Sequence, residues 1–349
     1  MTMLLRSWFV LSVAGTVVAA CGADSADNDA SDTGLDGTAD AVPDGTADAP
    51  PDEAVPDAEP DADGVADESA GEDDGGPGDG STACPRPSDP GPGDHTLPLE
   101  FGGLSRSFIV HVPPGYDAAE PTPLVVNFHG YTSNAAQQVF FSNMNPTADA
   151  HGFVVLYPDG YANSWNAGSC CGDAAAEGID DVGFAGALID EAARVLCIDR
   201  ERVYAAGMSN GGFMSYRLAC ETTGIFAGFA PVAGGIGMPD CRPARPVSLV
   251  AYHGTADSYV PFSFGETSFH QYAVLAGCTG DPVRTAHGTS WCDVYESCEG
   301  GIRVGFCALD GMDHCWPGGA APRTICETFI GAYSEDLNAN EHLWEFLGP

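Results

Sequence analysis

The chain has 349 residues, 44% hydrophobic and 18% charged, with 45 glycines, 26 prolines and 13 cysteines. Fifty acidic residues stand against 12 basic ones, every one of them arginine, for a formal net charge of -38. The lack of lysine excludes Schiff-base chemistry, a P-loop phosphate anchor and a Ser–Lys dyad. So negative a field also repels phosphate backbones, which argues against nucleic acid as a partner.

In chain order, residues 1–20 read as a signal peptide, with Arg6 ahead of the apolar run SWFVLSVAGTVVAA. That run is too short for a comfortable membrane crossing. It ends in Val18-Ala19-Ala20-Cys21, which resembles the bacterial lipobox. The resemblance implies that Cys21 is lipidated as the first residue of the mature protein. An exported chain held by acyl groups to the cell envelope, or released outside the cell, is the expected location. Residues 21–94 follow as an Asp/Ala/Gly/Pro-rich segment. From residue 22 to 94 it carries 22 acids and one arginine, with no aromatic residue. Such a composition cannot offset chain entropy by burial, and it is expected to be a disordered acidic tether. EPDADG at 59–64 hints at the start of a calcium loop, but Ala70 falls where an EF-hand needs an acid.

Without Cys21, twelve cysteines remain, an even number in an exported chain, and disulfides are the default expectation. Cys220–Cys241, Cys278–Cys298, Cys292–Cys307 and Cys315–Cys326 are plausible pairs, with connectivity open. The adjacent Cys170-Cys171 has neither redox nor zinc-site spacing.

From residue 95 to the end the composition is that of a folded domain, with 28 acids and 10 arginines, a net of -18. Strand-like apolar runs lie at Phe108–Val112, Leu124–Phe128, Phe153–Tyr157, Val203–Ala206, Val247–Tyr252 and Arg303–Ala308. Several are continuous, as strands covered on both faces should be. Helical patterns alternate with them: one capped by Asp181, in which Val182, Ala185, Leu188, Ile189, Ala192 and Leu196 share a face, and others near 210–221, 266–277 and 339–347. The alternation predicts an α/β fold, a mostly parallel sheet flanked by helices.

Chemistry enters at Gly207-Met208-Ser209-Asn210-Gly211, a G-x-S-x-G between the predicted strand RVYAA and the predicted helix GGFMSYRLAC. A nucleophile elbow requires that context: the tight turn pushes the Ser209 hydroxyl out above the sheet edge and aims the Asn210 N–H at a developing oxyanion. The serine needs a base, and the base an orienting acid, in the order Ser, Asp/Glu, His. Of the later histidines, His314 in GMDHCWPGG sits in a Gly-flanked loop after a strand. His270 and His342 fall in helical patterns, and His287 in an irregular polar stretch. Asp257 in HGTADSYVPF is the candidate acid, with Asp310 in reserve. Asp313 adjoins His314, and neighbouring side chains rarely meet in one hydrogen bond. His253 is expected to be structural. An earlier strand-to-helix loop, Phe128-His129-Gly130-Tyr131, offers the Tyr131 N–H as the second oxyanion donor, with His129 bracing it.

The runs WNAGSCCG (165–172), IDDVGF (179–184), RVYAAGMSNGGFMSYRLAC (202–220), HGTADSYVPF (253–262) and GMDHCWPGG (311–319) resemble the polyhydroxybutyrate depolymerase and feruloyl esterase group of secreted α/β-hydrolase esterases. The resemblance implies Ser209, Asp257 and His314 as the triad. It also implies an α/β-hydrolase fold, an oxyanion hole from the His-Gly loop and the elbow, and an acyl group or sugar-linked ester near Trp316. The expected activity is hydrolysis, through an acyl-enzyme, of plant-wall polysaccharide esters, feruloyl or acetyl. The alternatives are a polyhydroxybutyrate depolymerase, a serine peptidase on the same fold, or a non-catalytic surface binding module. The scheme needs neither metal nor organic cofactor. The short stretch between Cys220 and Thr255 leaves little room for a lid, which suits a polymeric or bulky ester. Trp165, beside Tyr161 in the long 158–180 loop, is expected to form one wall of the cleft, opposite Trp316.

Overall fold

A computed structural model describes residue 84 and residues 90–348, apart from positions 223 and 319. The signal peptide, Cys21 and the tether as far as residue 83 lie outside the described residues. No helix among the described residues is long and apolar enough to cross a membrane.

One ten-stranded sheet organises the domain. In chain order its strands are β1 Gly93–Phe101, β2 Leu104–Val112, β3 Thr122–Phe128, β4 Val154–Pro158, β5 Ile198–Met208, β6 Gly228–Val232, β7 Ser248–Gly254, β8 Val283–His287, β9 Ser290–Tyr295 and β10 Val304–Leu309. Across the sheet they run β1-β2-β4-β3-β5-β6-β7-β10-β9-β8. The block from β4 to β10 is parallel throughout. Antiparallel pairs close both edges, β2 with β1 and β4 on one side, β9 with β10 and β8 on the other. The central strand β3, TPLVVNF, is buried at every position, whereas β1 alternates between half-buried and exposed residues along its length. A central strand covered on both faces keeps no polar side, and an edge strand keeps one.

Helices cover both faces. On one side α4 (Asp181–Val195), α5 (Asn210–Glu221) and α6 (Phe262–Leu275) pack Phe184, Leu188, Phe213, Tyr216 and Tyr272 against the sheet. On the other, α1 (Ala135–Ser142), α2 (Asn145–His151), α7 (Ala320–Phe329) and α8 (Ala339–Leu347) contribute Ala135, Ala148, Cys326, Leu343 and Phe346. The short α3 (Gly172–Ala176) lies within the 158–180 loop. The N-cap of α4 is Asp180 rather than Asp181: its side chain accepts the Gly183 N–H at 2.8 Å. Asp181 is buried instead and pairs with Arg106 at 2.7 Å.

The four plausible cysteine pairs all form disulfides. Two further bridges, Cys84–Cys197 and Cys170–Cys171, complete the pairing of twelve cysteines. Because the parallel strands point one way, the loops after β3, β5, β7 and β10 all leave from one edge of the sheet. Open α/β sheets bind ligands at that edge.

Candidate active site

Strand β5 ends at Met208, and Ser209 turns the chain into α5 with φ 55° and ψ -120°. A non-glycine residue at positive φ costs about 1–3 kcal/mol and persists only where its surroundings hold it. Here the Ser209 N–H donates to Val232 O at 2.9 Å, and Ser209 O accepts from Phe213 N at 2.9 Å. The two flanking glycines are required by contact. A Cβ on Gly207 would run into Gly211 O, and one on Gly211 into Phe128 O. The elbow therefore lies against the end of β3, and a Cβ on Gly130 would sit 3.5 Å from Ser209 Cβ.

The loop after β3 is braced from within. His129 is fully buried; its Nε2 accepts the Gly160 N–H at 2.9 Å, so Nδ1 carries the proton and donates to Gly130 O at 2.7 Å. Burial pushes its pKa down from 6.5 to about 4, which keeps the ring neutral. Among the described residues, neither the Tyr131 nor the Asn210 backbone N–H donates to a protein acceptor. Both belong to segments that converge on Ser209.

Asp257 follows β7 and His314 follows β10, the neighbouring strand. His314 Nδ1 lies 2.8 Å from Asp257 Oδ2. Asp257 Oδ1 accepts the backbone N–H groups of Tyr259 and Val260 at 2.9 and 2.8 Å. A second imidazole stands behind the acid: His253 Nε2 donates to Val260 O at 2.9 Å and lies 3.3 Å from Asp257 Oδ2. Burial alone would raise the Asp257 pKa, but hydrogen bonds from His253 and His314 and their charge outweigh it. The carboxyl is held well below its usual range. Asp313 clips the two loops together. Its Oδ1 accepts from Ser258 N and Ser258 Oγ, both at 2.8 Å, and from His314 N at 2.7 Å. Met208, just before Ser209, and Cys315, just after His314, line the same small apolar pocket with Phe141, Trp316, Cys326 and Ile330. The predicted nucleophile and base thus stand on converging segments, and Ser209 stays half-exposed.

Two sequence expectations are corrected. Trp165 is fully buried, with its ring edge-on to Phe128 at 5.0 Å and its Nε1–H donated to His129 O at 2.8 Å. Trp316 is 1% exposed, and its Nε1–H is taken by Asn340 Oδ1 at 3.0 Å. Trp165 offers no face to a ligand, and Trp316 reaches only the small pocket it lines with Met208 and Cys315; both brace loops from beneath. The exposed aromatic rings near the site are Tyr131 on the loop after β3, Tyr259 beside Asp257 and Phe264 on α6. Tyr259 carried no sequence signal beyond its nearness to Asp257, whereas His253, expected to be structural, stands behind that acid.

Among the described residues one cluster has metal-ligand chemistry, His287, Cys292 and His342. Cys292 is bonded to Cys307, which leaves only two imidazoles to hold an ion.

Comparison with known proteins decides the family. The profile described as Esterase PHB depolymerase matches residues 106–262. A putative esterase, NocK, of Nocardia uniformis subsp. tsuyamanensis is 31% identical over 278 residues, covering 70% of this chain and 80% of that protein. The chain belongs to the Esterase PHB depolymerase family. Feruloyl esterase B of Piromyces equi is 33% identical over 233 residues, 60% of this chain. The match spans only 42% of that longer protein. Among solved structures, the acetyl xylan esterase from Aspergillus awamori superposes with a TM-score of 0.53 at 14% identity, over 68% of this chain and all of that one. Esterase PHB depolymerase membership, together with that superposition, agrees with the α/β-hydrolase fold expected for this sheet.

Proposed function

We propose that the protein is an exported serine carboxylic ester hydrolase acting on plant cell-wall polysaccharide esters, feruloyl or acetyl. The observation that carries this reading is the 2.8 Å contact between His314 and a buried Asp257, at the sheet edge where Ser209 occupies a strained elbow. In the proposed reaction His314 Nε2 takes the Ser209 proton as Oγ attacks the ester carbonyl. The tetrahedral oxyanion rests on the Tyr131 and Asn210 amides, each such donor being worth about 3 kcal/mol in general. His314 then protonates the leaving alcohol, and water hydrolyses the acyl-enzyme by the same route. Asp257 holds the tautomer, with the proton on Nδ1, and stabilises the imidazolium.

The similarity to a protein named feruloyl esterase B supports a phenolic ester. The family description keeps a second reading in view, depolymerisation of polyhydroxybutyrate. Six disulfides support an oxidising compartment outside the cytoplasm. Lipid attachment at Cys21 is part of the proposal and rests on the sequence alone.

The test is a panel of methyl ferulate, acetylated xylan, polyhydroxybutyrate suspension and short nitrophenyl esters, run beside labelling with a fluorophosphonate probe. Release of ferulate or acetate, with labelling lost in Ser209→Ala, is the expected result. Clearing of the polyester alone would favour the second reading, and an unlabelled wild-type protein would point to a non-catalytic binding module.

A further inference from the structure

Tyr259 is the exposed aromatic ring in contact with the proposed base. Its ring centroid lies 5.1 Å from that of His314, with the planes 38° apart, and the residue is 41% exposed. Its main chain is fixed, because its N–H is bound by Asp257 Oδ1 at 2.9 Å. Its hydroxyl has no hydrogen-bond partner among the described residues. An exposed ring, immobile at its backbone and free at its phenol, makes a ready surface for a ligand.

The side of the site on which that ring stands decides what it meets. In ester hydrolysis by a serine and a histidine, the acyl oxygen turns toward the amide donors, here on the loop after β3 and the first turn of α5. The alcohol oxygen turns toward the imidazole that must protonate it. Tyr259 stands with His314, on the alcohol side, while Tyr131 stands on the amide side. Resting on the esterase reading above, we infer that Tyr259 is a specificity-determining residue that stacks on the sugar of the leaving alcohol. The flat apolar face of a sugar lies on the ring, and its hydroxyls reach the free phenol. The net charge of -18 over residues 95–349 favours a neutral sugar over a uronate.

The experiment compares two esters with one acyl group, methyl ferulate and feruloylated arabinose, in wild type, Tyr259→Ala and Tyr259→Phe. The quantity read is the ratio of kcat/KM on the sugar ester to kcat/KM on the methyl ester. Tyr259→Ala is expected to lower this ratio about five- to tenfold, mainly through KM on the sugar ester, as loss of one stacked ring should. Tyr259→Phe, which keeps the ring, is expected to hold it within about threefold of wild type. A ratio unchanged in Tyr259→Ala overturns the inference, and so does a Tyr259→Phe loss equal to that of alanine. Wild type inactive on both esters would instead overturn the feruloyl reading on which this inference rests, so the two failures are told apart. Thermal melts of each variant confirm that folded protein is being compared.

Discussion

Asn210 and Trp165 hold each other through a reciprocal pair of hydrogen bonds. Asn210 Oδ1 accepts the Trp165 N–H at 2.7 Å, and Asn210 Nδ2 donates to Trp165 O at 3.0 Å. Both residues are fully buried. The residue that offers its backbone N–H to the proposed oxyanion thus uses its side chain to bind the 158–180 loop to the first turn of α5. Trp165 passes the restraint on, since its indole N–H holds His129 O.

Asn210→Ala would keep the backbone donor and strip the partners from both the buried N–H and the buried C=O of Trp165. Leaving a buried donor or acceptor unpaired costs about 1–3 kcal/mol each. The variant is expected to lose about 3 kcal/mol of stability by urea denaturation. It should also lose ester turnover at temperatures where it is fully folded. A melt equal to that of wild type would mean that the clamp contributes nothing.

The elbow glycines make a sharper steric prediction. A Cβ at Gly211 would strike Phe128 O, a main-chain atom of the central strand β3 that has nowhere to go. Gly211→Ala is expected to cost about 3 kcal/mol or more, by forced backbone displacement. Gly186, within α4, has open space where its Cβ would lie. Gly186→Ala is expected to stabilise by up to about 1 kcal/mol through helix propensity. Opposite shifts in melting temperature for the same chemical change would separate contact from propensity.

Two histidines, the buried His129 and the half-buried His342, set the response to acid. Burial depresses the pKa values of His129 and His342 from 6.5 to about 4. Unfolded chains take up those protons below pH 6.5, whereas the folded protein resists until about pH 4. Stability therefore falls as pH drops through that window, by about 2–3 kcal/mol per histidine. Asp257 acts elsewhere: its folded pKa is depressed below the ordinary carboxylate value, so its contribution persists through this window and is lost only in stronger acid. Urea midpoints at pH 7.5, 5.5 and 4.5 should decline steadily. His342→Gln, which keeps an acceptor for the Tyr252 hydroxyl that now meets His342 Nδ1 at 2.9 Å, should flatten the decline by about half.

How much of this was legible in the sequence depends on which force shaped each segment. The parallel block was readable because strands covered on both faces must be continuously apolar, as in Leu124–Phe128. Strand β6, GFAPV, escaped notice because Gly228 and Pro231 interrupt its apolar run, although all five positions are buried. Strand β8 is nearly all exposed and has no buried face to betray it. At the proposed site, loop position and chain order were enough to single out Asp257 and His314, which lie 2.8 Å apart, and to place Ser209 in the turn after β5. Trp165 and Trp316 were misjudged because their flanking residues, WNAGSCCG and CWPGG, look like exposed loop. What buries them is distant in sequence: Phe128 and Phe184 around Trp165, Asn340 against Trp316. The same limit hid Cys84–Cys197, which joins residues 113 apart.

Two carboxylates lie close to His314. Asp257 receives the imidazole at 2.8 Å, whereas Asp313 receives only the His314 main-chain N–H and the Ser258 N–H and hydroxyl. If Asp257 orients the ring, Asp257→Asn should leave the fold standing and lower kcat by about four orders of magnitude, since an amide presents the wrong donor pattern to Nδ1. Asp313→Asn retains a carbonyl oxygen able to accept the same three donors, so its kcat is expected to stay within about tenfold of wild type. Asp313→Ala removes that acceptor and should weaken the loop clip by about 1–3 kcal/mol, read as a lower melting temperature. A greater loss of kcat in Asp313→Asn than in Asp257→Asn would transfer the orienting role to the adjacent residue and reverse the assignment made from loop position.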